Sequence, residues 1–214
     1  IVTDTVAHHE LAFLAFDAGL HVVVEKPMAL TVGACNAMIN ASESAGLVLS
    51  ISENYRRDPM NRLLKALIDN EVLGEPRLVV DINLNGYRDI QQVAAWRHMK
   101  LRGGYVVEYG VHNSDLLLYF MGELDTLYAQ THLWEKLRYM TDKSSLGVLG
   151  KFYSHRVDEE IDKAERIECT AEDMALALLR FKSGAQGQMS MSNAAPGEST
   201  GASIIYFNDG SLKL

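Results

Sequence analysis

Three consecutive valines, Val22-Val23-Val24, constrain this chain more than any other stretch. β-Branched side chains crowd a helix and fit a pleated strand. A run without polar alternation suits a strand covered on both faces, as in a parallel sheet. The run, taken as His21 to Val24, lies between two helical patterns, each closed by a glycine. The first spans about His8 to Ala18, carries Leu11, Leu14, Ala15 and Ala18 at helical spacing, and stops at Gly19. The second spans about Val32 to Ala45 and stops at Gly46. Leu47 to Ile51 reads as another short strand, and Ile1-Val2-Thr3 as the end of one more. Strand, helix, strand, helix, strand with brief connections predicts the later half of a doubly wound parallel α/β unit over residues 1–52.

Residues 53–214 predict a different architecture. Asp58 and Pro59 supply an N-cap and first-turn proline for a helix that ends near Gly74. Met60, Leu63, Leu64, Leu67 and Ile68 form its apolar face. Leu78, Val80, Ile82 and Leu84 alternate with Arg77, Asp81 and Asn83, so the first set is expected to face the core of a strand. Gly103-Gly104 opens a long helical pattern that ends at Gly122, and Leu127 to Leu133 follows as a strand. Asp173 to Phe181 and Gln186 to Asn193 read as a hairpin around Lys182-Ser183-Gly184. Ser203 to Phe207 is a further strand before the turn Asn208-Asp209-Gly210. Residues 134–170 are polar and weakly periodic, and read as a long excursion with some helix. The fold class is α/β plus α+β, the second part built on an open, mainly antiparallel sheet.

A formal net charge of −8 with no Lys/Arg-rich run argues against nucleic acid as a partner. No stretch approaches the ~20 apolar residues of a membrane span. Cys35 and Cys169 have no second Cys or His at ligand spacing, so no metal is expected and two unpaired thiols suit a reducing cytoplasm. Ile1 opens directly into a strand-like run, so upstream sequence is expected.

Three segments carry chemistry. Glu25-Lys26-Pro27 follows the valine strand, and ligands of open α/β sheets sit at strand carboxyl ends. A lysine there can donate to a substrate oxygen, although a surface lysine in a turn is the commoner reading of the tripeptide alone; the Lys26-Pro27 bond is a candidate cis peptide. In the second segment Glu108, His112 and Asp115 are spaced four and three apart, along one helix face. A carboxylate one turn from an imidazole can orient it for acid–base work. A structural hydrogen-bond row is the alternative, and a zinc-hydrolase helix would need a further histidine. Trp96-Arg97-His98 offers an aromatic wall and a cation. His8-His9-Glu10 reads as a surface helix start.

In this order these segments resemble the Gfo/Idh/MocA (glucose–fructose oxidoreductase / inositol dehydrogenase) family. The resemblance runs through Thr3 to His8, Ala18 to Pro27, Asn54-Tyr55-Arg56 with Asp58-Pro59, Trp96-Arg97, and Gly103 to Asp115. Glu172-Asp173, Phe181, Gly184-Ala185 and Gly210-Ser211-Leu212 extend it. The resemblance implies a Rossmann domain remnant at 1–52 and a substrate-binding and oligomerisation domain at 53–214. It implies hydride transfer between NAD or NADP and a sugar, polyol or related hydroxy compound, in a homo-oligomer assembled through the open sheet. Lys26, His112 and Glu108 would be catalytic, with Glu108 orienting His112 or binding substrate. Thr3, Thr5, His8, Glu25, Lys26 and Pro27 would line the cofactor cleft, and Trp96, Arg97 and Asp115 would approach substrate.

Three departures qualify that reading. Many members carry Asp where this chain has Glu108, and Asp4 replaces a common proline. No Gly-x-Gly-x-x-Gly occurs in the 214 residues, so the chain by itself is expected not to bind a dinucleotide usefully. An NAD-using glycosidase and a non-catalytic binding or oligomerisation module are the competing readings.

Overall fold

The computed structural model describes residues 1–86, 88–90, 94–140 and 165–214. The middle of the polar excursion, 141–164, lies outside the described residues.

The N-terminal part runs α1 (His8–Asp17), β1 (Val22–Glu25), α2 (Val32–Ala45) and β2 (Leu49–Ser52). β1 and β2 pair in parallel with Glu25 opposite Ser52. α2 starts at Thr31, whose side chain accepts from Ala34 N, and stops at Gly46 in the left-handed conformation. Its Met38 packs with Ala12, Phe16, Val22 and Val24 in one apolar cluster. The buried stripe of α1 is His8, Ala12 and Phe16, not the row expected from sequence; Leu14 is 65% exposed. His8 decides this. Both its ring nitrogens lie within hydrogen-bond distance of carbonyl oxygens, of Pro27 at 2.9 Å and Thr3 at 3.1 Å, so the imidazole is drawn inward. Ile1 hydrogen-bonds beside β1, through Val23 O and Glu25 N, while Val2 is exposed.

The second part places α3 (Pro59–Asp69) and α4 (Tyr105–Met121) on one face of a six-stranded sheet ordered β10-β9-β3-β8-β7-β4. The strands are β3 (Pro76–Leu84), β4 (Leu124–His132), β7 (Met174–Phe181), β8 (Gln186–Ser192), β9 (Thr200–Phe207) and β10 (Ser211–Lys213). β5 (Leu137–Tyr139) and β6 (Arg166–Glu168) make a separate antiparallel ribbon. Within the large sheet β3 and β8 run parallel and the other neighbours antiparallel. Leu64, Leu117, Phe120 and Met121 of the helices meet Val79, Leu179, Phe181, Ile205 and Phe207 of the strands.

The face of β3 is reversed from expectation. Val79 and Asp81 point into the core, whereas Leu78 is 39% exposed on the far side. The row turned inward is Arg77, Val79, Asp81 and Asn83, of which only Val79 is apolar, so the alternation pointed to the other face. Asp81 goes inward because two donors meet it there, Asn113 Nδ2 of α4 at 2.8 Å and the Ser203 hydroxyl of β9. Burial still raises its pKa, against the lowering by those bonds. On α3, likewise, Leu64 is buried while Met60 and Leu63 stay exposed. The helix ends at Asp69, earlier than Gly74, where a turn follows.

Among the described residues no helix is long and apolar enough to cross a membrane, and no three His, Cys, Asp or Glu side chains converge as a metal site.

Candidate active site

Lys26 and Glu53 each stand one residue beyond a parallel strand. Because Glu25 is paired with Ser52, the two side chains leave adjacent strand ends at the same level. Strands lie about 4.8 Å apart, close to the separation of residues four apart on a helix. α4 presents two such residues, Glu108 and His112, to these strand ends. The result is two matched contacts across the two parts of the chain.

In the first, Lys26 Nζ donates to the Glu108 carbonyl oxygen at 2.8 Å and stands 3.7 Å from its carboxylate. Glu108 is 2% exposed, and the Thr5 hydroxyl donates to its Oε1 at 2.5 Å. A Cβ at position 103 would lie 3.1 Å from that same oxygen and 3.0 Å from the Trp96 ring, so glycine makes the close approach possible. The Lys26 ammonium also lies 5.5 Å from the centre of the Tyr109 ring. Desolvation lowers the Lys26 pKa, Glu108 opposes it, and Arg97 adds to the lowering.

In the second, His112 Nδ1 lies 2.8 Å from both carboxylate oxygens of Glu53. The Tyr55 ring stacks on the imidazole at 4.1 Å and 12°. Beside it, Arg56 makes a two-pronged pair with Asp115, Nε to Oδ2 at 2.5 Å and Nη2 to Oδ1 at 2.7 Å. Glu53 and Arg56 therefore dock the segment leaving β2 along the Glu108–His112–Asp115 face of α4.

The other expected residues are distributed around this centre. Thr3 is exposed, and Thr5 is buried against Glu108. His8 is fully enclosed and joins the Pro27 turn to Thr3, so its ring supports the site from behind. Glu25 accepts from Lys26 N, and the Lys26-Pro27 bond is cis. Asp4 pairs with Arg102 at 2.5 Å, which neutralises the carboxylate in the loop after Thr3. Trp96 is 6% exposed, and the Arg97 guanidinium stacks on it at 4.7 Å, its Nε and Nη1 without a hydrogen-bond partner among the described residues. Asp115 is committed to Arg56.

Sequence reasoning paired Glu108 with His112. Glu108 instead belongs to Lys26 and Thr5, and the carboxylate on His112 is Glu53, which went unread. The strand-end rule that singled out Lys26 applies equally to Glu53, one residue past β2. Arg102 carried no local signal, and Arg56 stood only within the resemblance, with no role attached.

A family described as the GFO/IDH/MocA C-terminal domain matches residues 61–213. This chain belongs to the Gfo/Idh/MocA oxidoreductase family. Residues 1–53 match the companion description, an oxidoreductase family with an NAD-binding Rossmann fold. The myo-inositol 2-dehydrogenase of Thermotoga maritima is 29% identical over 195 residues, 91% of this chain and 49% of that protein. The levoglucosan dehydrogenase of Pseudarthrobacter phenanthrenivorans is 25% identical, over 99% of this chain and 53% of its own length. The chain spans about half the length of these curated relatives. The apo form of a levoglucosan dehydrogenase superposes with a TM-score of 0.80 at 25% identity, over 100% of this chain and 53% of that one. The WlbA dehydrogenase of Bordetella pertussis, in complex with NADH and UDP-GlcNAcA, shares the fold at a TM-score of 0.77 and 23% identity, over 99% of this chain and 56% of its own.

Proposed function

We propose that this chain forms the substrate-facing part of an NAD(P)-dependent dehydrogenase of sugars, polyols or related hydroxy compounds. The observation that carries the reading is the convergence of Lys26, Glu108 and His112 at the carboxyl ends of β1 and β2. His112 accepts the proton of the reacting hydroxyl, and Lys26, held by Glu108, donates to the same oxygen as it becomes a carbonyl. A bound nicotinamide supplies the hydride acceptor. The residues present suit that end of a dinucleotide, with Lys26, Glu25, Pro27 and Thr5 grouped behind β1, and the 214 residues contain no glycine-rich loop for its phosphates. Trp96 and Arg97 border the substrate side. The two free thiols, Cys35 and Cys169, agree with a cytoplasmic setting. The sheet face away from α3 and α4 is offered for assembly into a homo-oligomer.

Two measurements test this. The purified chain titrated with NADH is expected to show no micromolar fluorescence transfer. The gene product containing these residues, given NAD+ or NADP+ and a panel of cyclic polyols and sugars, is expected to reduce the nicotinamide. His112→Asn and Lys26→Met should each lower kcat by roughly 10²–10⁴-fold. Undiminished turnover in both variants rejects the assignment.

A further inference from the structure

The segment between β2 and α3 does more than connect two parts of the chain. Its first residues, Glu53 to Arg56, are laid on α4 by three contacts in succession: Glu53 to His112, Tyr55 on His112, and Arg56 to Asp115. The Glu53 carboxylate is fixed at its own end as well, since Oε1 accepts from Tyr55 N at 2.9 Å. Its side chain is 11% exposed and that of His112 9%, so water competes little for this hydrogen bond.

A carboxylate can only accept, so the nitrogen facing it must carry the proton. Nδ1 of His112 is therefore the protonated nitrogen. In the neutral ring Nε2 then holds the lone pair, and it has no partner among the described residues. The Tyr55 ring, 12° from parallel, prevents the imidazole from swinging out of line with Glu53.

We propose that Glu53 is the positioning residue of His112, with Tyr55 as its backing: the segment leaving β2 sets the imidazole as the Nδ1–H tautomer and so makes Nε2 the base. This rests on the reading of His112 as acid–base and extends it to a residue that acts only through His112. In the oxidation the substrate O–H proton passes to Nε2 and the C–H pair leaves as hydride to the nicotinamide. The carbon–oxygen double bond forms as they go. The imidazolium so produced keeps Nδ1–H on Glu53, whose negative charge stabilises it. In the reverse direction the same nitrogen returns the proton. Glu108 has no part in this. It serves Lys26, and the two acidic residues divide the two partners of the reacting oxygen between them.

Along α4 the charged residues flanking His112 among those described are Glu108 one turn before, paired with Lys26, and Asp115 one turn after, paired with Arg56. Each of these four is engaged with a partner of its own, and among the described residues Glu53 is the group that hydrogen-bonds the ring.

The test is the tautomer itself. The chain labelled with ¹⁵N in its histidine rings is observed in alkaline solution, and the shifts of the two ring nitrogens report which one carries the proton. His112→Asn assigns the signal. His112 is expected to be protonated at Nδ1 in the unaltered chain and to shift to the Nε2–H form in Glu53→Ala, while Glu53→Asp retains part of the Nδ1–H population. Backbone amide spectra confirm that each variant is folded. An Nε2–H signal in the unaltered chain, or an unchanged tautomer in Glu53→Ala, overturns the proposal. This measurement uses neither dinucleotide nor turnover, so it stands or falls apart from the proposed activity. In the active gene product Glu53→Gln should lower kcat by about 10²-fold or more with KM changed only a few-fold. A loss confined to KM would overturn it.

Discussion

Burial acts on two basic residues near the site with different consequences. Lys26 keeps an acid beside it: desolvation lowers its pKa, and Glu108 pulls back toward the charged form. His98, 2% exposed, has cations for neighbours. Burial first, then Arg138 and Arg97, push it down to about 3. Its folded pKa therefore lies below the unfolded value of ~6.5, and between those limits the unfolded chain binds more protons. Stability is expected to fall as pH drops through that window, by up to about 1.4 kcal/mol per pH unit from this residue. Asp81 works in the opposite sense, because its raised pKa lets the folded state bind a proton first on acidification. Urea midpoints between pH 7 and pH 5 separate the two. The slope should flatten in His98→Gln; an equal slope in both proteins would remove His98 from the account.

At the scale of elements, the placement of α4 decides whether Glu108 and His112 reach the strand ends. Gly104 caps the helix with φ +107°, and a Cβ there would stand 2.9 Å from the Ala171 Cβ. Gly104→Ala combines backbone strain with a collision, and should cost about 2–4 kcal/mol in chemical denaturation. Gly184, with φ +92° and nothing within 4 Å of a Cβ, should cost about 1 kcal/mol for the same change. Equal losses would mean that the Ala171 contact contributes nothing. Such terminators are what made elements readable. Thr31 and Gly46 bracket α2, and Asp58 with Pro59 starts α3, because caps are local chemistry. The face of β3 was misread, since its more apolar row turns outward and the choice rests on Asn113 and Ser203, 32 and 122 residues away from Asp81. The centre divides the same way. Lys26, Glu108 and His112 stand out by position and spacing. Their true partners follow from the register of β1 on β2, which no local pattern states.

Among the described residues, α3 and α4 cover one side of the large sheet and no helix covers the other. The register aligns Ile204, Val80, Gln188, Leu178 and Tyr128 in a row across five strands, with Leu78, Leu176 and Tyr206 beside it. Leu178 and Tyr128 are each 63% exposed, and Leu78, Leu176 and Tyr206 lie between 39% and 43%. A contiguous apolar patch of this kind on a sheet marks a contact surface more often than a solvated one. Two copies packed face to face would bury it without disturbing the site, which opens toward the N-terminal strands. In sedimentation the chain is expected to exceed its 23.8 kDa monomer mass. Leu178→Asp puts a charge at the middle of the row, where burial without a partner costs several kcal/mol, and should return the chain to monomer. The far-UV spectrum should not change, because the side chain points away from the core that α3 and α4 close. A monomer before substitution would mean that this face meets solvent or another partner. An unaltered oligomer after it would move the contact to a different surface.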